Sequence, residues 1–291
     1  MDRAVQRTDH DAIASKLSAV KRGYYEDEYL ELFCPRFEPR LPLINIGTWC
    51  RVRAIDQAIT EFLEKNTEGK TQVISLGAGS DTRPFHLLPK HPNLVYYEID
   101  FPTQVRKKAA IVRRHLSQKV ELCDSATPVT LEGDINTSRY HLLGQDLRQL
   151  SLPDLDESVP TLIISECCLC YLAPESSHLV LEYFASRVAH LSIVLYEPIG
   201  LDDEFGRVMA ENLMMRGLCL PTFQKFSTLD SQTSRLRELG LTHTISAKDM
   251  EQYYNDLPSA EQKRIHRLEF LDEVEEMNLL LRHYCVVFAG K

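Results

Sequence analysis

Positive charge is in short supply in this chain: 33 lysines and arginines against 42 aspartates and glutamates leave a formal net charge of -9 over 291 residues. Nonspecific nucleic-acid affinity is largely counterion release along a basic track, so nucleic acid is not expected as a partner. Long apolar runs are missing too. The longest, residues 162–173, is interrupted by Ser165 and Glu166 and falls well short of the roughly 20 residues a membrane helix needs, so no membrane association is expected. Residues 1–10 carry Asp2, Arg3, Arg7 and Asp9 with no apolar segment, which gives no sign of a secretory leader. Among the eight cysteines, Cys167, Cys168 and Cys170 sit inside an apolar run with no second pair at a matching spacing. Reduced thiols, a cytoplasmic location and no metal are the expectation. Repeats, low-complexity tracts and long linkers are also absent, which favours one domain over residues 1–291.

What is present is alternation. Short β-branched runs at residues 72–76, 94–100, 140–145, 161–165 and 192–197 are separated by helical patterns at 101–115, 174–190 and 203–216. That order predicts a doubly wound, mostly parallel Rossmann-like α/β sheet with helices on both faces. Ahead of it, residues 1–33 have helical spacing and end at a proline-punctuated connector, 34–42. Val52, Ile55, Ile59, Phe62 and Leu63 then recur at helical intervals over residues 51–63. Behind it, helices are expected at 231–238, 247–255 and 268–281, and a strand at 283–289. The parts are therefore an N-terminal helical extension and connector (1–50), a core (51–200), and helical insertions with closing strands (201–291).

The core opens on Val73-Ile74-Ser75-Leu76-Gly77-Ala78-Gly79-Ser80-Asp81-Thr82, a buried strand running into a turn with Gly77 and Gly79 two apart. Glycine there lets a ligand approach the backbone closely. A dinucleotide fingerprint wants a third glycine where Thr82 stands, so a cofactor without phosphates is favoured. Some twenty residues on, the second strand ends in Asp100, placed to accept from both ribose hydroxyls. Each charge-assisted bond of that kind contributes roughly 1.5 to 3 kcal/mol. The third strand delivers Asp146, which can accept from an adenine amine, and Leu147, which can cover the ring. The fourth ends in Glu166, at the sheet edge where ligands of open α/β folds bind.

Taken singly these residues have ordinary explanations. The glycine turn can be purely structural, Asp100 or Asp146 a helix cap, Glu166 a salt-bridge partner, and Arg51 a tie between an N-terminal helix and the sheet. Arg106, Lys107, Lys108, Arg113 and Arg114 could recruit an acidic tail, but such a helix is usually a solvated face. The acidic stretch Glu269, Asp272, Glu273, Glu275 and Glu276 is expected to face solvent, and Tyr24 and Tyr25 to be core or rim aromatics. Order and spacing together point to a nucleoside cofactor.

Beyond that constellation, the chain resembles the leucine carboxyl methyltransferase family over nearly its whole length. The carriers are Gly23-Tyr24-Tyr25, Ile44-Asn45-Ile46-Gly47-Thr48-Trp49-Cys50-Arg51-Val52-Arg53, Leu76 to Thr82, Glu98-Ile99-Asp100-Phe101-Pro102 and Asp146-Leu147-Arg148. Further on are Ser165-Glu166-Cys167-Cys168-Leu169-Cys170-Tyr171, Asp203-Glu204-Phe205-Gly206, Leu268 to Glu273, and His283-Tyr284. The resemblance implies an S-adenosylmethionine-dependent enzyme that methylates the C-terminal leucine carboxylate of the protein phosphatase 2A catalytic subunit, acting as a monomer. It implies that Lys16 and Arg51 hold the carboxylate of the cofactor's methionine moiety or of the substrate. Gly77 and Gly79 would line the cofactor, Asp100 the ribose, Asp146 and Leu147 the adenine, and Glu166 the amino group. Tyr171 would lie near the incoming leucine carboxylate, making Arg51 and Tyr171 the catalytic pair. The connector over 33–43 and the stretch 16–22 fit the family pattern only loosely.

The chemistry suits this composition. A terminal carboxylate, with a pKa of about 3.3 to 3.7, arrives ionised at neutral pH, so no general base is required, and no catalytic His or Cys constellation is evident. Three rival readings remain: a wybutosine-type tRNA-modifying carboxyl methyltransferase, expected to carry a further C-terminal domain and more basic surface; a nucleotide-dependent oxidoreductase; and a nonenzymatic phosphatase-binding protein on the same fold.

Overall fold

The computed structural model describes residues 2–120, 133–272 and 274–291. Among the described residues eight strands form one sheet: β1 (Thr71–Leu76), β2 (Leu94–Asp100), β3 (Ile135–Asn136), β4 (Tyr140–Gly144), β5 (Thr161–Glu166), β6 (Leu191–Pro198), β7 (Thr244–Asp249) and β8 (Tyr284–Gly290). Their spatial order is β3-β4-β2-β1-β5-β6-β8-β7. β4, β2, β1, β5 and β6 run parallel, while β3, β8 and β7 pair antiparallel. The chain starts at the centre with β1, moves out through β2 to β4, then returns to β5 and β6 on the other side. The order therefore reverses between β1 and β5, and ligands of such sheets bind beyond the carboxyl ends of the strands at that reversal.

All six residues of β1 are buried, as expected of a central parallel strand covered on both faces. Alternate side chains feed two cores. Val73, Tyr96, Leu162, Ile164 and Val194 pack with Ile55, Ile59 and Phe62, whereas Ile74, Leu76, Ile99, Ile163 and Ile193 pack with Leu181 and Phe184.

The helices preceding the sheet are α1 (Asp2–Lys21), α2 (Leu30–Phe33) and α3 (Pro42–Lys65). Within and after it come α4 (Arg83–Leu87), α5 (Pro102–Ile111), α6 (Pro174–Arg187), α7 (Glu204–Met215), α8 (Pro221–Lys225), α9 (Leu229–Glu238), α10 (Met250–Asn255), α11 (Ser259–His266) and α12 (Val274–Arg282). Among the described residues no helix is long and apolar enough to cross a membrane.

Five expectations need correction. The helix expected over 51–63 begins at Pro42, where a proline at the first helical position sacrifices no hydrogen bond, so it crosses the division placed at residue 50. The helix expected over 247–255 is half strand: β7 pairs Ile245 with Ala289 and Ala247 with Val287, alternates exposed and half-buried residues as a sheet edge does, and gives way to α10 where Asp249 caps Gln252 N. The acidic helix expected over 268–281 is present only as α12, residues 268–272 lie outside it, and Glu273 lies outside the described residues. Glu269 does not face solvent freely, since its Oε2 accepts from Asn45 Nδ2 at 2.7 Å and Arg22 approaches Oε1 at 3.3 Å. Finally, Lys108 is buried at 2% exposure and cannot serve a recruiting surface.

Candidate functional site

At the reversal point lies a cavity of about 590 Å³, and Lys16, Arg51, Gly77, Gly79, Asp100, Asp146, Leu147, Glu166 and Tyr171 all line it. Residues from α1, α3 and the ends of β1, β2, β4 and β5 are thus brought to one place, although 155 positions separate Lys16 from Tyr171.

The glycine turn is held by its own amides. Gly77 N and Ala78 N both donate to Ile99 O, at 2.8 and 3.2 Å; Gly79 N donates to Asp100 Oδ2 at 2.7 Å; Ser80 N donates to Asp9 Oδ1 at 2.7 Å. Four successive amides are spent on protein oxygens. A pyrophosphate needs such amides open as an anion nest, so the turn is ill suited to a dinucleotide. Gly77 and Gly79 have φ of 62° and 48°, in the left-handed region, and a Cβ at either would run into Cys168 Sγ or Asp9 Oδ1 respectively.

Asp100 sits at the end of β2 with Oδ1 accepting from Phe101 N at 2.6 Å. Burial pushes its carboxyl up to about 6, against the two backbone bonds that pull it down. Asp146 caps the short turn Leu147–Gln149 by accepting from Arg148 N, and the Arg148 fork closes on both its oxygens before reaching Asp2 Oδ2 at 2.8 Å. The Arg148 bonds hold the Asp146 carboxyl below its usual range.

Glu166 is the electrostatic centre. Its Oε1 accepts from Arg51 Nε at 2.5 Å and lies 3.2 Å from Lys16 Nζ, and its Oε2 accepts from Arg83 Nη1 at 2.7 Å. Burial pushes this carboxyl up, but Arg51, Lys16 and Arg83 together outweigh it and hold Glu166 well below the carboxylate range. Arg83 is shared with Asp81 at 3.1 Å and Asp56 at 2.6 Å. Lys16 and Arg51 thus face one carboxylate with two positive charges. Arg51 does tie α3 to the sheet, the structural alternative for it, and the same contact places it in the cavity wall. Burial pushes the Cys167 thiol up to about 12 and that of Cys168 upward as well, so neither is a ready nucleophile.

Arg83, Asp81 and Asp9 escaped the reading of the sequence. The first two directly follow the glycine turn, and an arginine at the start of the helix behind it was the available signal. Asp9 had none, because its partner Ser80 is 71 residues away.

A doubly wound sheet with a glycine turn, a carboxylate at the next strand end and a cation-flanked glutamate at the reversal point defines the class: a methyltransferase with a nucleoside-bearing cofactor. The profile of the leucine carboxyl methyltransferase family matches residues 4–185. A Yarrowia lipolytica protein named leucine carboxyl methyltransferase 1 is 43% identical over 99% of this chain and 97% of its own length. The Arabidopsis thaliana leucine carboxyl methyltransferase 1 homolog is 38% identical over 98% of this chain and 89% of its own. The Schizosaccharomyces pombe leucine carboxyl methyltransferase 1 is 35% identical over 98% and 94%. The chain belongs to the leucine carboxyl methyltransferase family; it is a methyltransferase enzyme, and its cofactor is S-adenosylmethionine. The donor set fits that cofactor: a half-buried carboxylate for a ribose, anions and cations side by side for an amino-acid head, and a glycine turn whose amides are already taken rather than open to phosphate.

Proposed function

We propose that this enzyme forms a methyl ester on the C-terminal leucine carboxylate of the protein phosphatase 2A catalytic subunit, and so regulates assembly of the phosphatase holoenzyme in the cytoplasm. The observation that carries this reading is the pairing of Lys16 and Arg51 against the single carboxylate of Glu166, inside a cavity whose other walls include Leu213, Leu218, Leu280 and Tyr284. Two cations beside apolar walls suit an acid group attached to an aliphatic side chain. The seven free cysteines among the described residues suit a reducing compartment.

When bound, S-adenosylmethionine supplies an electrophilic methyl group on a sulfonium. Asp100 would take the ribose hydroxyls, Asp146 and Leu147 the adenine, Glu166 the amino group, and Lys16 the amino-acid carboxylate. Arg51 meets Glu166 through Nε, so its two terminal nitrogens are the ones that would be offered to a substrate carboxylate. Tyr171, on the turn after β5, stands at the same wall. The leucine carboxylate would arrive ionised at neutral pH, so methyl transfer to it would ask no side chain of this site to take up a proton. Arg51 and Tyr171 therefore act by orientation rather than by acid–base chemistry.

The test is transfer of labelled methyl to the phosphatase catalytic subunit beside the same subunit lacking its terminal leucine. Label on the intact protein only, stable to acid and released by mild alkali, is expected. Equal labelling of the truncated protein would refute the C-terminal leucine as acceptor.

A further inference from the structure

Two buried charged residues, Glu197 and Arg235, lie outside the cavity lining. Glu197, at the end of β6, is 1% exposed; its Oε1 accepts from Ser165 Oγ at 3.2 Å and its Oε2 from Cys170 N at 3.1 Å. Arg235, from α9, is 3% exposed, and its Nε, Nη1 and Nη2 have no hydrogen-bond partner among the described residues. Its guanidinium rests on the Phe226 ring, 4.9 Å from the centroid, and Glu197 is the foremost charge acting on it. A guanidinium so deeply desolvated and making no hydrogen bond is costly to the fold.

The two oxygens of Glu197 grip either end of one short segment. Ser165 immediately precedes Glu166, and Cys170 immediately precedes Tyr171. Between them the backbone turns sharply: Cys167 has a φ of 52°, a left-handed conformation that a side-chain-bearing residue adopts only when its surroundings impose it, and Cys167 N donates to Tyr196 O at 2.8 Å. The end of β6 thus supplies three anchors to the turn that carries both Glu166 and Tyr171.

We propose that Glu197 is a positioning residue for methyl transfer, holding the Glu166–Tyr171 turn in its strained form. This rests on the reading of Glu166 as a cofactor-facing residue. Glu197 touches neither cofactor nor substrate; it acts through Ser165 and Cys170.

Two double variants of the full chain separate positioning from simple stability. Glu197→Gln/Arg235→Met removes both charges and keeps both hydrogen bonds, since the amide oxygen accepts from Cys170 N and the amide nitrogen donates to Ser165 Oγ. Glu197→Ala/Arg235→Met removes both charges and both bonds. Cofactor affinity is measured by equilibrium dialysis with labelled S-adenosylmethionine, at a temperature where circular dichroism shows each variant folded. The Gln form is expected to stay within about threefold of the parent, and the Ala form to bind roughly tenfold more weakly or worse. Should the Ala form not fold, Ser165→Ala removes one anchor alone and is expected to weaken binding by about threefold, with kcat falling as well. Equal affinity of the two double variants, or an unchanged Ser165→Ala, overturns the positioning role while leaving the methyltransferase reading intact. A parent protein that binds no S-adenosylmethionine overturns both.

Discussion

Asp9 accepts two bonds from Ser80, one from the backbone N and one from Oγ, each at 2.7 Å. The contact seats α1 directly on the glycine turn, with Gln104 Nε2 reaching the same carboxylate at 3.3 Å. The cavity at the sheet's reversal point therefore has a helical wall that belongs to the first twenty residues of the chain and is docked by side chains rather than by a strand ladder.

Asp9→Ala should undock that wall. Two charge-assisted bonds are lost from a half-buried site, roughly 1 to 3 kcal/mol of docking free energy, while the sheet keeps its own contacts. Amide hydrogen exchange over residues 4–16 is expected to speed up by at least about tenfold with the global melting temperature almost unchanged. Uniform protection across α1 in the variant would show that Asp9 is incidental.

Asp100 gives a pH signature. Its carboxyl rises from an ordinary 3.8 to about 6 in the folded chain because it is buried, so the native state holds a proton that the unfolded state has released between those values. Its contribution to stability is therefore complete below pH 4 and is lost as pH rises through 6. Ribose hydroxyls need the ionised form as acceptor. Cofactor affinity should thus climb with unit slope up to about pH 6 and level off above, with binding below the inflection accompanied by proton release. Titration calorimetry from pH 5 to 8 measures this, and Asp100→Asn should bind weakly without the inflection. An identical pH profile in the Asn form would assign the titration elsewhere.

The parallel strands and the glycine turn were legible because continuous β-branched runs such as Val73-Ile74 have few alternatives when followed by Gly77 and Gly79. Gly77, Asp100, Asp146 and Glu166 could be listed in advance because a doubly wound sheet delivers successive strand ends to one edge. Ion pairing was not legible. That Arg51 and Lys16 both meet Glu166 depends on how two N-terminal helices lie across the sheet, and no local pattern encodes that angle. β7 was misread for a related reason: its residues alternate only weakly, and it is a strand because β8 offers it an edge.

Arg83 and Arg51 both bind Glu166, yet their substitutions should differ in kind. Arg83 is 8% exposed at its side chain and also neutralises Asp81, so Arg83→Met strands the buried Asp81 carboxylate, takes one of three cations from Glu166, and should cost about 3 to 5 kcal/mol in chemical denaturation. Arg51→Met leaves Lys16 and Arg83 on Glu166 and should cost less than about half of that. Its larger effect belongs in methyl transfer, with kcat/KM for the protein substrate down by about a hundredfold or more. Equal denaturation costs for the two would mean that the cations are interchangeable.

Gly77→Ala combines a steric and a conformational penalty. The added Cβ would sit 2.5 Å from Cys168 Sγ, and φ at 62° disfavours any side chain by about 1 kcal/mol or more. Adding Cys168→Ala removes the sulfur but not the dihedral problem, so the double variant should recover part of the lost melting temperature and stop short of the parent. Full recovery would show that Gly77 is retained for space alone.

A last prediction concerns the cation beneath the glycine turn. Lys108 Nζ donates to Glu98 Oε1 at 2.7 Å and to Asp81 O at 2.5 Å, and Tyr140 donates to the other Glu98 oxygen at 2.6 Å, all in a buried environment. Burial pushes the Glu98 carboxyl up to about 7 even with Lys108 beside it. Removing the cation in Lys108→Met must raise it further, since only the tyrosine bond then favours the anion. The folded variant will hold a proton on Glu98 well above neutrality, and its stability, compared with the parent, should fall progressively as pH rises from 7 to 9. Adding Glu98→Gln removes the titrating group and should abolish that slope while the missing bond to Asp81 O persists. Denaturation midpoints of the three proteins between pH 6 and 9 measure this directly; parallel curves for Lys108→Met and the parent would place the buried proton on some other residue.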